Sequence, residues 1–344
     1  MSSLRDVADR AGVSVATAWR VVHGVDSVRA ETRVRVERAM RDVLYVPPAR
    51  PDAAGAIGLL LPEFGNPVFA SLAQAMETYA TRGGLATILC NTAGSALREV
   101  DYVHMLLERR VDGMVFICAE ITDVRSEHEH YVQLLDRGAR LVFVNGASDS
   151  LAVTSVGVDE RAAGRLATEH LLELGHRRIG FVAGEAHALP TREKAIGRED
   201  ALRAFGIEPN GYVANATFTV AGGRKALRAL IDAYPDEPPT GVICSNDLMA
   251  IGALKEAAEL GLDVPGDLSV VGFDGIEATE WTQPTLTTIE QPIDVIAKTA
   301  IAALSTQIDE PDQALANYVF RPRLKLGGTT AAPAAAKARP RVIA

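Results

Sequence analysis

The stretch LRDVADRAGVSVATAWRVVHG, residues 4–24, decides how the N-terminal part of this 344-residue chain folds. Leu4, Val7, Ala8 and Ala11 recur at i, i+3, i+4 and i+7, the apolar stripe of a short helix, and Gly12 stands where that helix must end. Ser14 is a good N-cap for a second helix, whose buried stripe is Ala18, Val21 and Val22 and which Gly24 ends after His23. A third helix is expected from about Ala30 to Val43. It turns Val36, Ala39, Met40 and Val43 inward and Arg33, Arg35, Arg38 and Arg41 outward. Two helices joined by Gly12-Val13-Ser14 and braced by a third form a helix-turn-helix, a unit that places the start of its second helix in the DNA major groove.

Charge agrees with that placement. The whole chain carries a net charge of −9, yet residues 1–50 hold nine Arg against six acids, and residues 321–344 hold six basic residues and no acid. The segment between them is strongly acidic, so the head is the part suited to a polyanion. With 48% hydrophobic and 23% charged residues the chain is a folded one, long enough for two or three domains. No apolar run approaches the roughly 18–20 residues that span a bilayer. The opening MSSLRDVADR has acids where a signal peptide has its apolar stretch, so a cytoplasmic location is expected. Cys90, Cys118 and Cys244 lie far apart in apolar surroundings and are expected to be reduced, buried thiols; neither a metal nor a cofactor is expected.

Beyond the head, AIGLLL (56–61), ATILC (86–90), GMVFI (113–117), LVFVN (141–145), RIGFVAG (178–184), GVICS (241–245) and LSVVGF (268–273) are short apolar runs without period-2 alternation, separated by helical stretches. Strands of that kind are buried on both faces, the mark of parallel sheets wrapped by helices. A closed barrel of eight βα units is the rival architecture. Further strand-like segments near Ala152–Val158, Thr285–Ile289 and Tyr318–Leu326 fit chain crossovers between two lobes better.

Residues 4–24, followed by VRAETRVRVERAMRDVLYVP (28–47), resemble the DNA-binding head of the LacI/GalR family of bacterial transcription regulators. The pattern D-V-A-x-x-A-G-V-S-x-x-T-V-S-R-V-L-N-G is kept at Asp6-Val7-Ala8, Ala11-Gly12-Val13-Ser14, Thr17, Arg20-Val21 and Gly24. The resemblance implies that Val15, Ala16 and Arg20 face the bases and that Ser14 and Thr17 lie nearer the phosphates; Arg29 and Arg33 are expected to contact DNA without base preference. Arg20 is suited either to a bidentate pair with guanine or to a phosphate. Ala18-Trp19 replaces the usual Val-Ser, and Trp19 either packs on the sugar-phosphate backbone or fills a gap left by Ala18. The hinge also departs from the family. Relatives carry a short helix whose Leu wedges into the minor groove, whereas residues 47–55 here are several positions short, lack leucine and contain Pro48 and Pro51. The departure implies an operator bent less at its centre, a quantity that gel mobility reads.

The resemblance continues through a periplasmic-binding-protein-like core and covers about residues 3–328. It is carried by Gly65-Asn66-Pro67-Val68-Phe69, Leu174-Gly175-His176-Arg177-Arg178-Ile179, Ser245-Asn246-Asp247, Val270-Val271-Gly272-Phe273-Asp274 and Pro284-Thr285-Leu286-Thr287-Thr288. The fold implied is a small all-α helix-turn-helix domain, residues 1–46, a hinge, 47–55, and a two-lobed α/β effector domain with parallel sheets, 56–330. Its N-lobe comprises about 56–159 plus 292–317 and its C-lobe about 160–291 plus 318–330, with a disordered tail over 331–344. The chain is expected to be a repressor that binds a pseudo-palindromic double-stranded operator as a homodimer, tetramers being left open, and that takes a small-molecule effector between the lobes. Asp247 and Asp274 stand where α/β strands deliver ligand-binding groups, Asp247 being alternatively a helix cap. Asn246 suits a polyol, and Phe69 and Phe218 either cover the ligand or fill the core. Asn145 stands where relatives often have a carboxylate. Lys194 takes the place of an effector-binding arginine, with Arg192 nearby, and Gln291 completes the set. A neutral sugar or glycoside is favoured over a phosphorylated one because no arginine cluster accompanies these residues.

Two other classes are weighed. A nucleotide-using enzyme lacks support, since neither G-x-G-x-x-G, nor G-x-x-x-x-G-K-[ST], nor G-x-S-x-G occurs. His128-Glu129-His130 is expected to be a solvated helix face, because next-but-one residues on a helix point apart. A transport solute-binding protein would share the two-lobed body and lack the head.

Overall fold

The computed structural model describes residues 3–22, 28–43, 45, 55–146, 151–209, 211–311 and 313–333, in two compact units, Met1–Ala54 and Gly55–Ala344. The expected end of the second helix at His23-Gly24, the hinge over 47–54 and most of the tail lie outside the described residues.

The first unit consists of α1 (Leu4–Ala11), α2 (Val15–Val22) and α3 (Ala30–Asp42). α1 begins with a reciprocal cap, the Ser3 hydroxyl accepting from the Asp6 N–H at 3.3 Å while the Asp6 carboxylate accepts from the Ser3 N–H at 2.6 Å. It ends at Gly12, whose φ of 62° is the left-handed value a C-cap needs. The chain then restarts within two residues, the Ser14 hydroxyl accepting from the Thr17 N–H at 3.1 Å. Val7, Ala8, Ala18, Val21, Val36 and Ala39 form the buried core, with Leu4, Val13, Val28, Met40, Val43 and Tyr45 packed around it. These side chains are mostly small, so the three helices approach closely.

The second unit contains β1 (Ala56–Leu61), α4 (Pro67–Arg82), β2 (Ala86–Asn91), α5 (Ala96–Glu108), β3 (Gly113–Ile117), α6 (Glu129–Asp136), β4 (Leu141–Val144), β5 (Thr154–Val158), α7 (Glu160–Glu173), β6 (Ile179–Ala183), α8 (Leu189–Ala204), β7 (Val213–Asn215), α9 (Val220–Ala233), β8 (Gly241–Cys244), α10 (Asp247–Glu259), β9 (Ser269–Asp274), β10 (Thr287–Glu290), α11 (Ile293–Asp309), β11 (Asn317–Phe320) and β12 (Arg323–Lys325). Two six-stranded sheets result, ordered β2-β1-β3-β4-β5-β11 and β7-β6-β8-β9-β10-β12. Every pairing is parallel except β10 with β12. A single closed barrel is thereby ruled out in favour of two lobes, and the chain crosses between them after β5, β10 and β11.

Three expectations need correction. Tyr318–Phe320 belongs to the N-lobe, because β11 pairs with β5 from Asn317 to Phe320; the last crossover therefore falls after Phe320 instead of before Tyr318. β11 is a largely exposed edge strand, so no apolar pattern marked its lobe. β2 is likewise an edge strand with mixed exposure and not a strand buried on both faces. β7, only three residues long and mostly exposed, was not anticipated.

One contact between helices positions the site. α7 and α8 cross at Gly164 and Gly197, where an added Cβ would lie 2.2 Å from the Lys194 carbonyl oxygen and 1.9 Å from the Arg161 carbonyl oxygen, respectively. Backbone meets backbone there, and the crossing brings Lys194 against Glu160. Gly197→Ala must push the helices apart, and overpacking of this kind costs about 1–3 kcal/mol. The variant should unfold at lower urea concentration than the wild type; an unchanged midpoint would show that the crossing can relax.

Candidate functional site

The head exposes most of its expected DNA-facing residues. Ser14, Val15, Ala16, Trp19 and Arg20 are exposed, Thr17 is partly so, and Ala18 and Val21 turn into the core. The Ser14 and Thr17 hydroxyls hydrogen-bond each other at 2.9 Å at the start of α2. Trp19 is 48% exposed while Ala18 is fully buried, so the indole does not fill a gap in this core. Arg29 is exposed just before α3, and Arg33 is half-buried on it.

In the second unit a cleft of about 670 Å³ opens between the lobes. Of the expected effector residues it is lined by Phe69, Asn145, Lys194, Phe218, Asn246, Asp274 and Gln291. Asn145 closes β4 and Asp274 closes β9, both with positive φ, 51° and 122°. For a non-glycine residue the second value is strained, the kind of backbone that persists at functional positions. Gln291 lies between them. Its amide nitrogen donates to Asp274 Oδ1 at 2.7 Å, and its oxygen accepts from Asn145 Nδ2 at 2.8 Å. Asn66, the N-cap of α4, donates to the other Asp274 oxygen at 3.4 Å. Lys194 pairs with Glu160 and sits 3.7 Å above the Phe273 ring. Burial raises the Glu160 carboxyl, and the lysine partly offsets the effect.

Two expected residues are elsewhere. Asp247 is fully buried and does not line the cleft; its carboxylate accepts from the Gly275 and Ile276 N–H groups at 2.8 and 2.9 Å and from the Thr288 hydroxyl at 2.6 Å. It anchors the loop after β9, whereas the cap of α10 is Asn246, whose Oδ1 accepts from the Met249 N–H at 2.8 Å. Both Asn246 amide atoms are thus engaged, the nitrogen donating to the Phe218 carbonyl at 3.2 Å. Arg192 is exposed on α8, outside the cleft lining, since the helix turns Lys194 inward and Arg192 away.

Sequence reasoning missed Asn66 and Glu160 as cleft residues. The Asn66-Pro67 pair signals a helix start but not its direction, and Glu160 becomes a site residue only through the α7–α8 crossing. Cys118 was expected to be buried with the other thiols, yet it is half-buried and lines the cleft. His128 and His130 also differ from a solvated helix face. His128 is 8% exposed, and His130 turns toward Glu99 and Glu120. The N-lobe's carboxylates thereby extend the polar wall.

The described cleft lining holds seven carboxylates against one lysine and no arginine. At the rim the lobes meet directly, the Val124 N–H donating to the His187 carbonyl at 3.0 Å beside a bridge between Asp123 and Ala188. The surroundings are therefore unsuited to an anion and rich in groups that bond hydroxyls.

Burial pushes the Asp247 carboxyl up to about 7, against its Thr288, Ile276 and Gly275 hydrogen bonds, and holds the neighbouring Asp274 well above the usual range. At these two carboxyls the folded chain binds more protons than the unfolded chain between about pH 4 and 7, so their contribution to stability falls as pH rises through that window and outweighs the smaller opposing effect of His170 and His176, whose imidazoles burial lowers. Urea unfolding at pH 5 and pH 8 checks this, with the lower midpoint expected at pH 8 and a smaller difference in Asp274→Asn. A profile that is flat or rises with pH would mean that the donors around Asp247 outweigh its burial.

Among the described residues no helix is long and apolar enough to cross a membrane. Residues 3–48 match the model for bacterial regulatory proteins of the lacI family, and residues 168–330 match that for a periplasmic binding protein-like domain. An HTH-type transcriptional regulator in the aml 5′ region of Streptomyces limosus is 39% identical over 334 residues, 95% of this chain and 94% of that protein. Among solved structures, a complex of the transcriptional regulator CelR with cellobiose has a TM-score of 0.73 at 28% identity, covering 96% of this chain and 100% of that one. The lac repressor dimer bound to operator and the anti-inducer ONPF has a TM-score of 0.75 at 26% identity, covering 96% and 99%. Helix-turn-helix head, two-lobed cleft and near full-length relatives agree: the chain belongs to the LacI family, whose members are DNA-binding transcriptional regulators and not enzymes.

Proposed function

We propose that this regulator is a homodimeric repressor whose operator affinity is switched by a neutral sugar or glycoside bound between the lobes. The observation that carries the effector class is the lining itself, amides and carboxylates without an arginine, with the single lysine already paired to Glu160. Hydroxyls find both donors and acceptors there, whereas a phosphate would meet repulsion. The sugar seen in the CelR complex and the dimeric, operator-bound state of the lac repressor support the same reading. A ligand switches the DNA affinity only through different affinities for two arrangements of the lobes. The Asn145–Gln291–Asp274 chain spans both lobes and is the natural element for a ligand to rearrange. The favoured sign is induction, closure weakening operator binding. DNA binding places its work in the cytoplasm, beside the chromosome.

In the head, Arg20 is assigned to base recognition, with Val15 and Ala16 giving apolar contact and Trp19 packing on the backbone beside Ser14 and Thr17. Arg29 and Arg33 neutralise phosphates. Arg20→Ala should relax base preference by about 1–3 kcal/mol, whereas Arg29→Ala or Arg33→Ala should weaken operator and random DNA alike and reduce the salt slope by about 1 each. Equal losses on both DNAs for Arg20→Ala would return it to a phosphate contact.

The effector is tested by thermal melting of the full chain against pentoses, hexoses, disaccharides, sugar phosphates and nucleobases. At about 100 times its dissociation constant a ligand adds roughly 2.7 kcal/mol, a rise of a few degrees. Neutral sugars should raise the midpoint and sugar phosphates should not; a hit confined to phosphates or nucleobases would overturn the effector class. Operator titration with the hit then reads the sign of the switch.

A further inference from the structure

Along the N-lobe wall of the cleft, three segments distant in sequence bring an imidazole and two carboxylates together. Glu99 projects from the first turn of α5, Glu120 from the 3-10 turn after β3, and His130 from the first turn of α6. His130 Nε2 lies 3.3 Å from Glu99 Oε1 and 3.8 Å from Glu120 Oε2, and the three ligand atoms all fall within 4.8 Å of one another. Ligands around a tetrahedral zinc-sized ion, bound at about 2.0–2.2 Å, are separated by about 3.4 Å, so one ion can reach all three atoms.

Each carboxylate is also held by other hydrogen bonds, at Glu99 on both oxygens including the Oε1 that faces His130. The Tyr131 hydroxyl and the Glu120 N–H donate to Glu99, and the Ser126 hydroxyl donates to Glu120 Oε1 at 2.6 Å. Hydrogen bonds of this kind orient metal-binding carboxylates. Glu99 is only 2% exposed, yet among the described residues neither it nor Glu120 forms an ion pair with a lysine or arginine. A buried carboxylate beside a second carboxylate calls for a cation, and among the described residues His130 is the basic side chain that pairs with both.

We propose that Glu99, Glu120 and His130 form a binding site for a divalent transition-metal ion of the zinc class on the wall of the effector cleft. One nitrogen and two oxygen ligands suit such an ion better than calcium or magnesium, which take oxygen ligands. Three protein ligands leave a position for water or for a hydroxyl of a molecule in the cleft, since Glu99 and Glu120 both line it. The ion would tie α5, the turn after β3 and α6 together. The site does not depend on the identity of the effector.

The test uses the full chain, stripped with chelator and dialysed, and titrates Zn²⁺ alone by calorimetry with no sugar present. One equivalent should bind, and its affinity should drop at least tenfold in His130→Ala and in Glu120→Gln. Melting of each variant without metal verifies that it folds, and Glu120, being partly exposed, is the milder change. Co²⁺ in place of Zn²⁺ should give the visible absorption of a tetrahedral nitrogen-oxygen site in the wild type and lose it in both variants. Absence of saturable Zn²⁺ binding, or binding equal in wild type and variants, would overturn the proposal and leave His130 as a hydrogen-bond partner of Glu99.

Discussion

The side chain of Gln291 is the constraint on which the cleft depends. A single amide satisfies Asn145 at the end of one sheet and Asp274 at the end of the other, and it lies where the chain leaves β10 for α11. The two lobes thereby share a buried polar link next to their crossover strands. Such a link tolerates rotation poorly, because each bond is directional and its partners have few alternatives away from water. Asn145 Oδ1 is also taken, accepting from the Val158 N–H at 3.1 Å, which fastens the link to β5 just before the first crossover. A change in the angle between the lobes alters the distances within this group of side chains.

Around that link the unit divides its work between backbone and side chains. The parallel sheets place strand ends toward the cleft, and the helices that follow bring capping groups to the same edge. Asn66 and Asn246 are both caps and lining residues, so the requirements of a helix start and of a ligand surface coincide in one amide. Asp247 shows the opposite outcome. It stands beside Asn246 in sequence, but its carboxylate is consumed by the backbone of the loop after β9 and faces no ligand.

Most of the architecture was legible in the sequence because the signals were local. The stripe of α1, the Gly12 turn, the Ser14 cap and the apolar runs of the inner strands each follow from spacing within a dozen residues. What escaped was decided by contacts between distant segments or by exposed edges. β7 is a three-residue exposed edge strand with too short a run to read, and β11, though strand-like in sequence, owes its lobe to its pairing with β5, which no local pattern marks. Seven of the nine expected effector residues line the cleft, and the two that do not, Arg192 and Asp247, differ by helix phase and by loop anchoring. Glu99, Glu120 and His130 were illegible for the same reason, since they come together only once α5, α6 and the turn after β3 have packed.

The bond between the Val124 N–H and the His187 carbonyl at the cleft rim has a kinetic consequence. Parting the lobes at this edge means separating a main-chain pair, which no substitution short of a proline at Val124 removes. For a molecule that leaves by this edge, residence time depends on how often the rim parts as well as on the contacts inside. Two molecules of unequal affinity could therefore depart at similar rates, and a transcriptional response would outlast the disappearance of its signal by an interval set in the protein itself.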